Sequence, residues 1–296
     1  MRLNTQELCK LRCSDYSVII LSGPTAVGKT EIISSLFCDG FEVINADSIQ
    51  VYKGLDIGSA KPDRELLCRI PHHLVDIIPP YGAWSVMDFI NEADKLIPEI
   101  KSRGNMPLIS GGNAFYIKEY LYGLSSAPKA DEVTRKQVAD MIKRIGLRKA
   151  HEELMKLDAV SAARIHENDS YRISRALEVC YSSGKPLSSF RVSKKYRSGI
   201  KPLVIHLTRD KLELRERIKT RVRKMFETGL REEVDNLILQ GAGLHWQSMQ
   251  AIGYKEFFTD TDDVEQQIVI DTIHYAKRQE TFFNSFENLN VVNLSS

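Results

Sequence analysis

Short runs of apolar residues, separated by longer stretches with helical spacing, set the rhythm of this chain. Ser17-Val18-Ile19-Ile20-Leu21 reads as a first strand, and Phe41-Glu42-Val43-Ile44-Asn45 as a second. Leu74-Val75-Asp76-Ile77-Ile78 reads as a third, stopped by Pro79-Pro80. Pro107 to Ser110 and Leu203 to Leu207 supply a fourth and a fifth. Between them the pattern predicts helices over Glu31–Phe37 and Trp84–Lys101, the second with Ser85 as N-cap and Asp88 in the capping-box position. Runs this short and this rich in Val, Ile and Leu are those of a parallel sheet covered on both faces.

The pattern changes between Gly123 and Lys201. No strand stands out there, and Asp131–Lys143, Arg148–Leu157, Ala159–Ile165 and Ser170–Tyr181 all read as helix. The simplest division is an α/β core over 17–124 and 200–296, with an all-helical insertion domain over 125–199. After Asp210 the chain is helical again, with Glu213 in capping-box position. Ile218, Val222, Met225 and Phe226 form its apolar stripe, continued by Leu230, Val234, Leu237 and Ile238. A last helix covers about Val264 to Phe286.

Composition narrows the class. Hydrophobic residues at 43% and charged residues at 27% of 296 suit a globular protein with a sizeable core. No apolar run approaches the roughly 20 residues of a membrane span. The first sixteen residues are too polar for a signal peptide, which points to the cytoplasm. The five cysteines (Cys9, Cys13, Cys38, Cys68, Cys180) contain no C-x-x-C pair and read as free thiols. A net charge of +2 neither demands nor excludes a nucleic acid. Its distribution says more: Gly184 to Lys201 holds Lys185, Arg191, Lys194, Lys195, Arg197 and Lys201 and no acid. Such a run is either a solvated loop or a contact to a phosphate backbone.

The chemistry begins at Gly23-Pro24-Thr25-Ala26-Val27-Gly28-Lys29-Thr30, a G-x-x-x-x-G-K-T loop between the first strand and a helix. In that context backbone N–H groups and the helix N-terminus cradle phosphates, Lys29 reaches the outer phosphate, and the Thr30 hydroxyl can hold Mg²⁺. Ligands of such sheets sit outside the carboxyl ends of the strands. That gathers the loop, Asp47, Gly111-Gly112-Asn113 and Arg209 onto one rim. Asp47 there can hold Mg²⁺ through water, take a proton from a nucleophile, or cap a turn. His72 and His73 lack further ligands and read as structural. Tyr81 and Trp84 read as packing aromatics, with stacking on a base as the alternative. At this level phosphoryl transfer remains open, with Arg221 and its neighbours as an arginine lid.

Several stretches together resemble one family. They are the phosphate loop; Ala46-Asp47-Ser48-Ile49-Gln50-Val51-Tyr52; Leu55 to Pro62; Pro71 to Asp76; and Gly111-Gly112-Asn113 with Tyr116. Arg164-Ile165-His166, Arg172, Arg175 to Glu178, Gln250 to Tyr254 and Lys277-Arg278-Gln279 complete the set. In this order they resemble the bacterial tRNA dimethylallyltransferases across about residues 17 to 290. The resemblance implies transfer of a dimethylallyl group from dimethylallyl diphosphate to N6 of the adenosine immediately 3′ of the tRNA anticodon. Mg²⁺ would assist, and the enzyme would act as a monomer without a membrane. It implies that the loop from Gly23 to Thr30 holds a departing diphosphate, with catalytic roles for Asp47, Asn113 and Arg221. It also implies tRNA contacts at Asp47, Ser48, Ile49, Gln50 and Arg135, at Tyr171, Arg172, Ile173, Ser174 and Arg175, and at Gln250, Ala251, Ile252, Gly253, Tyr254 and Lys255. The target base must leave its stack to reach the rim. Two positions depart from the pattern: Asn113 replaces a threonine, and Phe282 a tryptophan. An asparagine amide can donate a hydrogen bond but cannot relay a proton. Transfer to free AMP, ADP or ATP, a small-molecule kinase, and a binding-only module are the other classes to weigh.

Overall fold

In the computed structural model, which describes residues 2–3, 15–190 and 195–295, strands and helices alternate around one parallel sheet. Cys9, Cys13, Arg191 and Lys194 lie outside the described residues. The chain divides into two compact units, Met1–Leu121 with Tyr196–Ser296, and Tyr122–Lys195.

The first unit contains the strands β1 (Arg2–Leu3), β2 (Val18–Ser22), β3 (Phe41–Asn45), β4 (His72–His73), β5 (Met106–Gly111), β6 (Pro202–Thr208) and β7 (Asn290–Asn293). Their order across the sheet is 1-7-6-2-5-3-4, every pairing parallel. β2 is central, and Val18, Ile19, Ile20 and Leu21 are all fully buried. Successive side chains point to opposite faces, so complete burial means both faces are covered. Each of these side chains contributes about 1.5–3 kcal/mol on burial. The register sets Ser22 of β2 beside Gly111 of β5 and His206 of β6, so β2 and β5 end side by side and β6 runs two residues further along the same edge.

The helices of this unit are α1 (Lys29–Leu36), α2 (Arg64–Arg69), α3 (Val86–Ser102) and α4 (Ala114–Tyr122, whose last residue crosses the boundary). α3 starts with the expected capping box between Ser85 and Asp88. α9 (Lys211–Glu227), α10 (Leu230–Leu239) and α11 (Val264–Phe283) follow β6, and α9 packs on α11. Among the described residues no helix is long and apolar enough to cross a membrane.

The second unit is helical: α5 (Glu132–Ile145), α6 (Leu147–Leu157), α7 (Ala159–Ala162) and α8 (Ser170–Ser183). Val138, Leu154, Ile173, Ala176 and Leu177 form its core. Asp131, Asp158 and Asp169 cap three of its helices, each accepting a backbone N–H one turn on.

Four expectations are corrected. The third strand is His72–His73 and not Leu74–Ile78. Leu74 (φ 63°) and Asp76 (φ 56°) turn left-handed and break the extended run, which then follows the loop at Val51 through N–H bonds from Ile77 and Ile78. β7 went unforeseen because two valines between asparagines carry little pattern. α7 stops at Ala162, short of Ile165. Glu213 does not close a capping box: it pairs with Arg209, and Asp210 alone caps α9 through Leu212 N (2.8 Å) and Glu213 N (3.2 Å).

Candidate functional site

The loop after β2 turns where the sequence demands glycine. Gly23 has φ +154°, and a Cβ there would lie 2.8 Å from the Leu207 carbonyl oxygen. The loop delivers the chain into α1 with Lys29 and Thr30 at its first turn. Lys29 Nζ donates to the carbonyls of Gly23 and Pro24, each at 2.9 Å. Burial, and next the charge of Arg221, push its pKa down to about 8.

α9 supplies the surrounding cations. Arg217 and Arg221, one turn apart, both reach the loop: Arg217 Nε donates to Ala26 O (2.8 Å) and Arg221 Nη1 to Thr25 Oγ1 (3.1 Å). Arg209, at the end of β6, donates from Nε to Val27 O (3.1 Å). The loop therefore stands in a collar of guanidinium groups.

Gln279 of α11 joins this loop to the next. It accepts from Thr25 N (2.9 Å) and donates to Gly112 O (2.6 Å). A Cβ at position 112 would lie 2.4 Å from Gln279 Nε2, so a larger residue there would displace the Gln279 amide from this bridge. Asn113 follows as the cap of α4, its Oδ1 accepting from Tyr116 N (3.2 Å). It therefore has a structural task that the expectation of a catalytic role left out.

Asp47 begins the loop after β3. Its Oδ1 accepts from Ile49 N (2.8 Å) and Gln50 N (3.4 Å), so a turn fixes the carboxylate in place. Gln50 Nε2 donates to the carbonyls of Ser59 and Ala60 at 3.1 Å each. That second loop is pinned from α10: the Glu233 carboxylate accepts from Asp56 N (2.9 Å), Ile57 N (2.8 Å) and Gly58 N (3.2 Å). Tyr254 OH adds a fourth bond to Glu233 at 2.8 Å.

Two hollows result. A cleft of about 900 Å³ is lined by Gly28, Lys29, Thr30, Gly111, Gly112, Arg217 and Gln279 among others. A cavity of about 370 Å³ is lined by Ser48, Ile49, Ile218, Val222, Met225, Ile252 and Ile268 among others. They adjoin at Thr25, Asp47, Ser59, Arg221 and Tyr275, which line both. The larger hollow holds the phosphate loop with Lys29, Arg217 and Arg221 among several acids, the smaller sets Ile218, Val222, Ile252 and Ile268 beside polar residues such as Gln247, Gln250 and Thr272, and the Asp47 carboxylate stands between them.

A family model described as IPP transferase matches residues 50–286. The chain belongs to the IPP transferase family. It is 41% identical over 281 residues to a tRNA dimethylallyltransferase of Geobacter sulfurreducens, covering 91% of this chain and 89% of that one. A tRNA isopentenylpyrophosphate transferase structure from Bacillus halodurans shares 34% identity and a TM-score of 0.66, covering 94% and 90% of the two chains. A eukaryotic dimethylallyltransferase described as acting on tRNA superposes with a TM-score of 0.71 at 25% identity, over 94% of this chain and 74% of that one.

In this IPP transferase the expected site residues fall into four groups. Thr25, Ala26, Gly28, Lys29, Thr30, Asp47, Ser48, Ile49, Gln50, Arg221, Gln250, Ala251, Ile252 and Gly253 line one hollow or both. Gly23, Pro24 and Val27 are buried and shape the loop from behind. Tyr254 is fully buried on Glu233 and serves as framework, and the part-exposed Lys255 is paired with Asp271 at 2.7 Å. In the helical unit Arg135, Tyr171 and Arg172 are exposed, while Ser174 and Arg175 are half-buried. Arg175 donates to Pro128 O at 2.9 Å. Ile173 is fully buried in the core, which removes it from any contact surface.

Both histidines before Pro79 have fixed partners, and His72 also lines the larger cleft. His73 Nε2 lies 2.7 Å from Glu42, and His72 Nδ1 lies 2.7 Å from Ile70 O. Among the described residues no group of three or more His, Cys, Asp or Glu side chains could hold a metal ion. Sequence reasoning gave Gln279, Tyr275 and Glu233 no role. Ile268, Thr272, Tyr275 and Gln279 share one face of α11 by their helical spacing, which was a readable signal. Glu233 acts 175 residues away from Gly58 and carries no local signal.

Proposed function

We propose that this protein transfers a dimethylallyl group from dimethylallyl diphosphate to N6 of the adenosine immediately 3′ of the anticodon in tRNA. The observation that carries this reading is the junction at Asp47, with phosphate-binding groups on one side and an aliphatic cavity on the other. A prenyl diphosphate has a charged end and a hydrocarbon end, and the two hollows meet where those ends join.

The diphosphate lies on the loop from Gly23 to Thr30. As the allylic carbon–oxygen bond breaks, its electron pair stays with the diphosphate oxygen. Backbone N–H groups, Lys29 and Arg221 face that growing negative charge. Asn113 Nδ2 has no partner among the described residues and can donate to the diphosphate, while its Oδ1 stays on the cap. Asp47 accepts the proton that N6 loses as the carbon–nitrogen bond forms. The turn that holds one of its oxygens orients the other without a side-chain rearrangement.

Mg²⁺ suits this donor set. It takes phosphate oxygens, waters and one or two protein oxygens, and the Thr30 hydroxyl and Asp47 carboxylate line the same cleft. Thr30 would hold the ion, which would neutralise charge on the leaving diphosphate. The exposed Arg135, Tyr171 and Arg172, with Ser174 and Arg175, would meet the anticodon stem-loop. Ser48, Ile49, Gln50, Gln250, Ala251 and Ile252 would surround the extruded base, and the protein would work as a cytoplasmic monomer.

The test offers labelled dimethylallyl diphosphate with tRNA, with AMP, and with both. We expect label in tRNA alone. Label in AMP alone would sink the tRNA reading, and release of ADP from ATP without prenyl transfer would favour a kinase. Asp47→Ala should lower single-turnover transfer by about 10²-fold or more while tRNA binding persists.

A further inference from the structure

The phosphate cleft and the aliphatic cavity share five lining residues, Thr25, Asp47, Ser59, Arg221 and Tyr275. On the prenyl-transfer reading, on which this inference rests, the reacting carbon sits at that junction. Its diphosphate lies to one side and its methyl groups to the other. When the carbon–oxygen bond breaks, the electron pair leaves with the diphosphate and positive charge spreads over the allylic carbons. The N6 lone pair then forms the new bond, and the N6 proton passes to Asp47. For that interval the anionic neighbours of the allylic carbons are the departing diphosphate and the Asp47 carboxylate, which is committed to the N6 proton. Lys29 and Arg221, both cationic, stand on the diphosphate side. Ile218, Val222, Ile252 and Ile268 on the cavity side offer no charge at all.

Among the described residues, Tyr275 is the one aromatic ring common to both hollows. We propose that the face of the Tyr275 ring stabilises the allylic carbons as they become positive, which makes Tyr275 a catalytic residue beside Asp47. The face of an aromatic ring is its electron-rich side, and it attracts a cation within about 6 Å of the centroid. Here the ring already receives one: the guanidinium carbon of Arg278, at the exposed edge of the helix, is 5.9 Å from the centroid. Position is well fixed. Gln279, one turn further along α11, is bonded to both Thr25 N and Gly112 O, so the helix that carries the ring is clamped to the phosphate loop. Burial first, and the Asp47 carboxylate second, push the phenol pKa up, so the group acts as a neutral ring and not as a phenolate.

The experiment measures single-turnover transfer to tRNA, and KM for dimethylallyl diphosphate, in wild type, Tyr275→Phe and Tyr275→Leu. Phenylalanine keeps the ring and should stay within about threefold of wild type. Leucine should lose about tenfold to thirtyfold in rate with KM changed less than threefold. A second series replaces Tyr275 with phenylalanine carrying one, two and three ring fluorines, which drains the ring face while keeping its shape. The rate should fall stepwise with each fluorine. A merely structural ring would give a flat series, and a flat series overturns the proposal even where Tyr275→Leu fails to fold. Equal rates for leucine and phenylalanine overturn it too. If the wild-type protein itself moves no prenyl group to tRNA, the reaction assignment fails instead, and the two failures are told apart by that control.

Discussion

Lys29 is the residue whose ionisation the fold controls most directly at the phosphate loop. Burial and Arg221 bring its pKa from 10.5 to about 8 in the free protein. The unfolded chain binds this proton up to about pH 10.5, whereas the folded protein releases it near 8, so the charge is under tension between those values. A bound diphosphate supplies the missing counter-charge and draws the proton back. Affinity for dimethylallyl diphosphate should therefore start to fall as pH approaches 8 and drop about fivefold from pH 8 to 9. Titration calorimetry in that range checks it. Lys29→Met should bind more weakly at pH 7 and lose the pH dependence; the same slope in the variant would place the titration elsewhere. Asn113 belongs to this scale as well. Its carbonyl oxygen caps α4, a task a threonine hydroxyl can also perform, so asparagine or threonine here would keep the turn.

At the scale of elements, the site depends on long-range struts more than on its own loops. The loop from Asp56 to Gly58 has its N–H groups satisfied by one carboxylate on α10. Glu233→Ala should free that loop and leave three N–H groups and the Tyr254 hydroxyl unpaired, at a cost of roughly 2–4 kcal/mol. We expect a lower Tm and a raised KM for tRNA; an unchanged Tm and KM would mean that the loop holds itself. Much of the architecture was legible. β2, β3, β5 and β6 announce themselves as short Val/Ile/Leu runs, and the capping box of α3 as Ser85 and Asp88. The strut was not legible, because nothing around Glu233 differs from any exposed helical glutamate. Leu74 to Ile78 misled for a related reason: an apolar run says nothing of left-handed residues at Leu74 and Asp76. The buried Tyr254 and Ile173 show the limit of carrying over motifs, since a stretch that surrounds a ligand also contains the residues that prop it up.

For the whole molecule, the sheet places every group of the proposed reaction at one edge. The central strand ends in the phosphate loop, its neighbours end at Gly111 and Thr208, and β3 ends at Asn45, two residues before Asp47. α9 and α11 close over that edge with Arg217, Arg221, Tyr275 and Gln279. A helical unit separated in sequence from this edge carries the exposed Arg135, Tyr171 and Arg172. A small-molecule acceptor needs only the first unit, and the second has a use if the acceptor is a folded RNA. The central claim is therefore about one bond on one nucleotide. The direct measurement is position-resolved nucleoside analysis of unmodified tRNA after incubation with the protein, dimethylallyl diphosphate and Mg²⁺. The expected result is N6-dimethylallyladenosine at the position immediately 3′ of the anticodon and nowhere else. Unmodified adenosine at that position, under conditions where the protein binds both substrates, would contradict it.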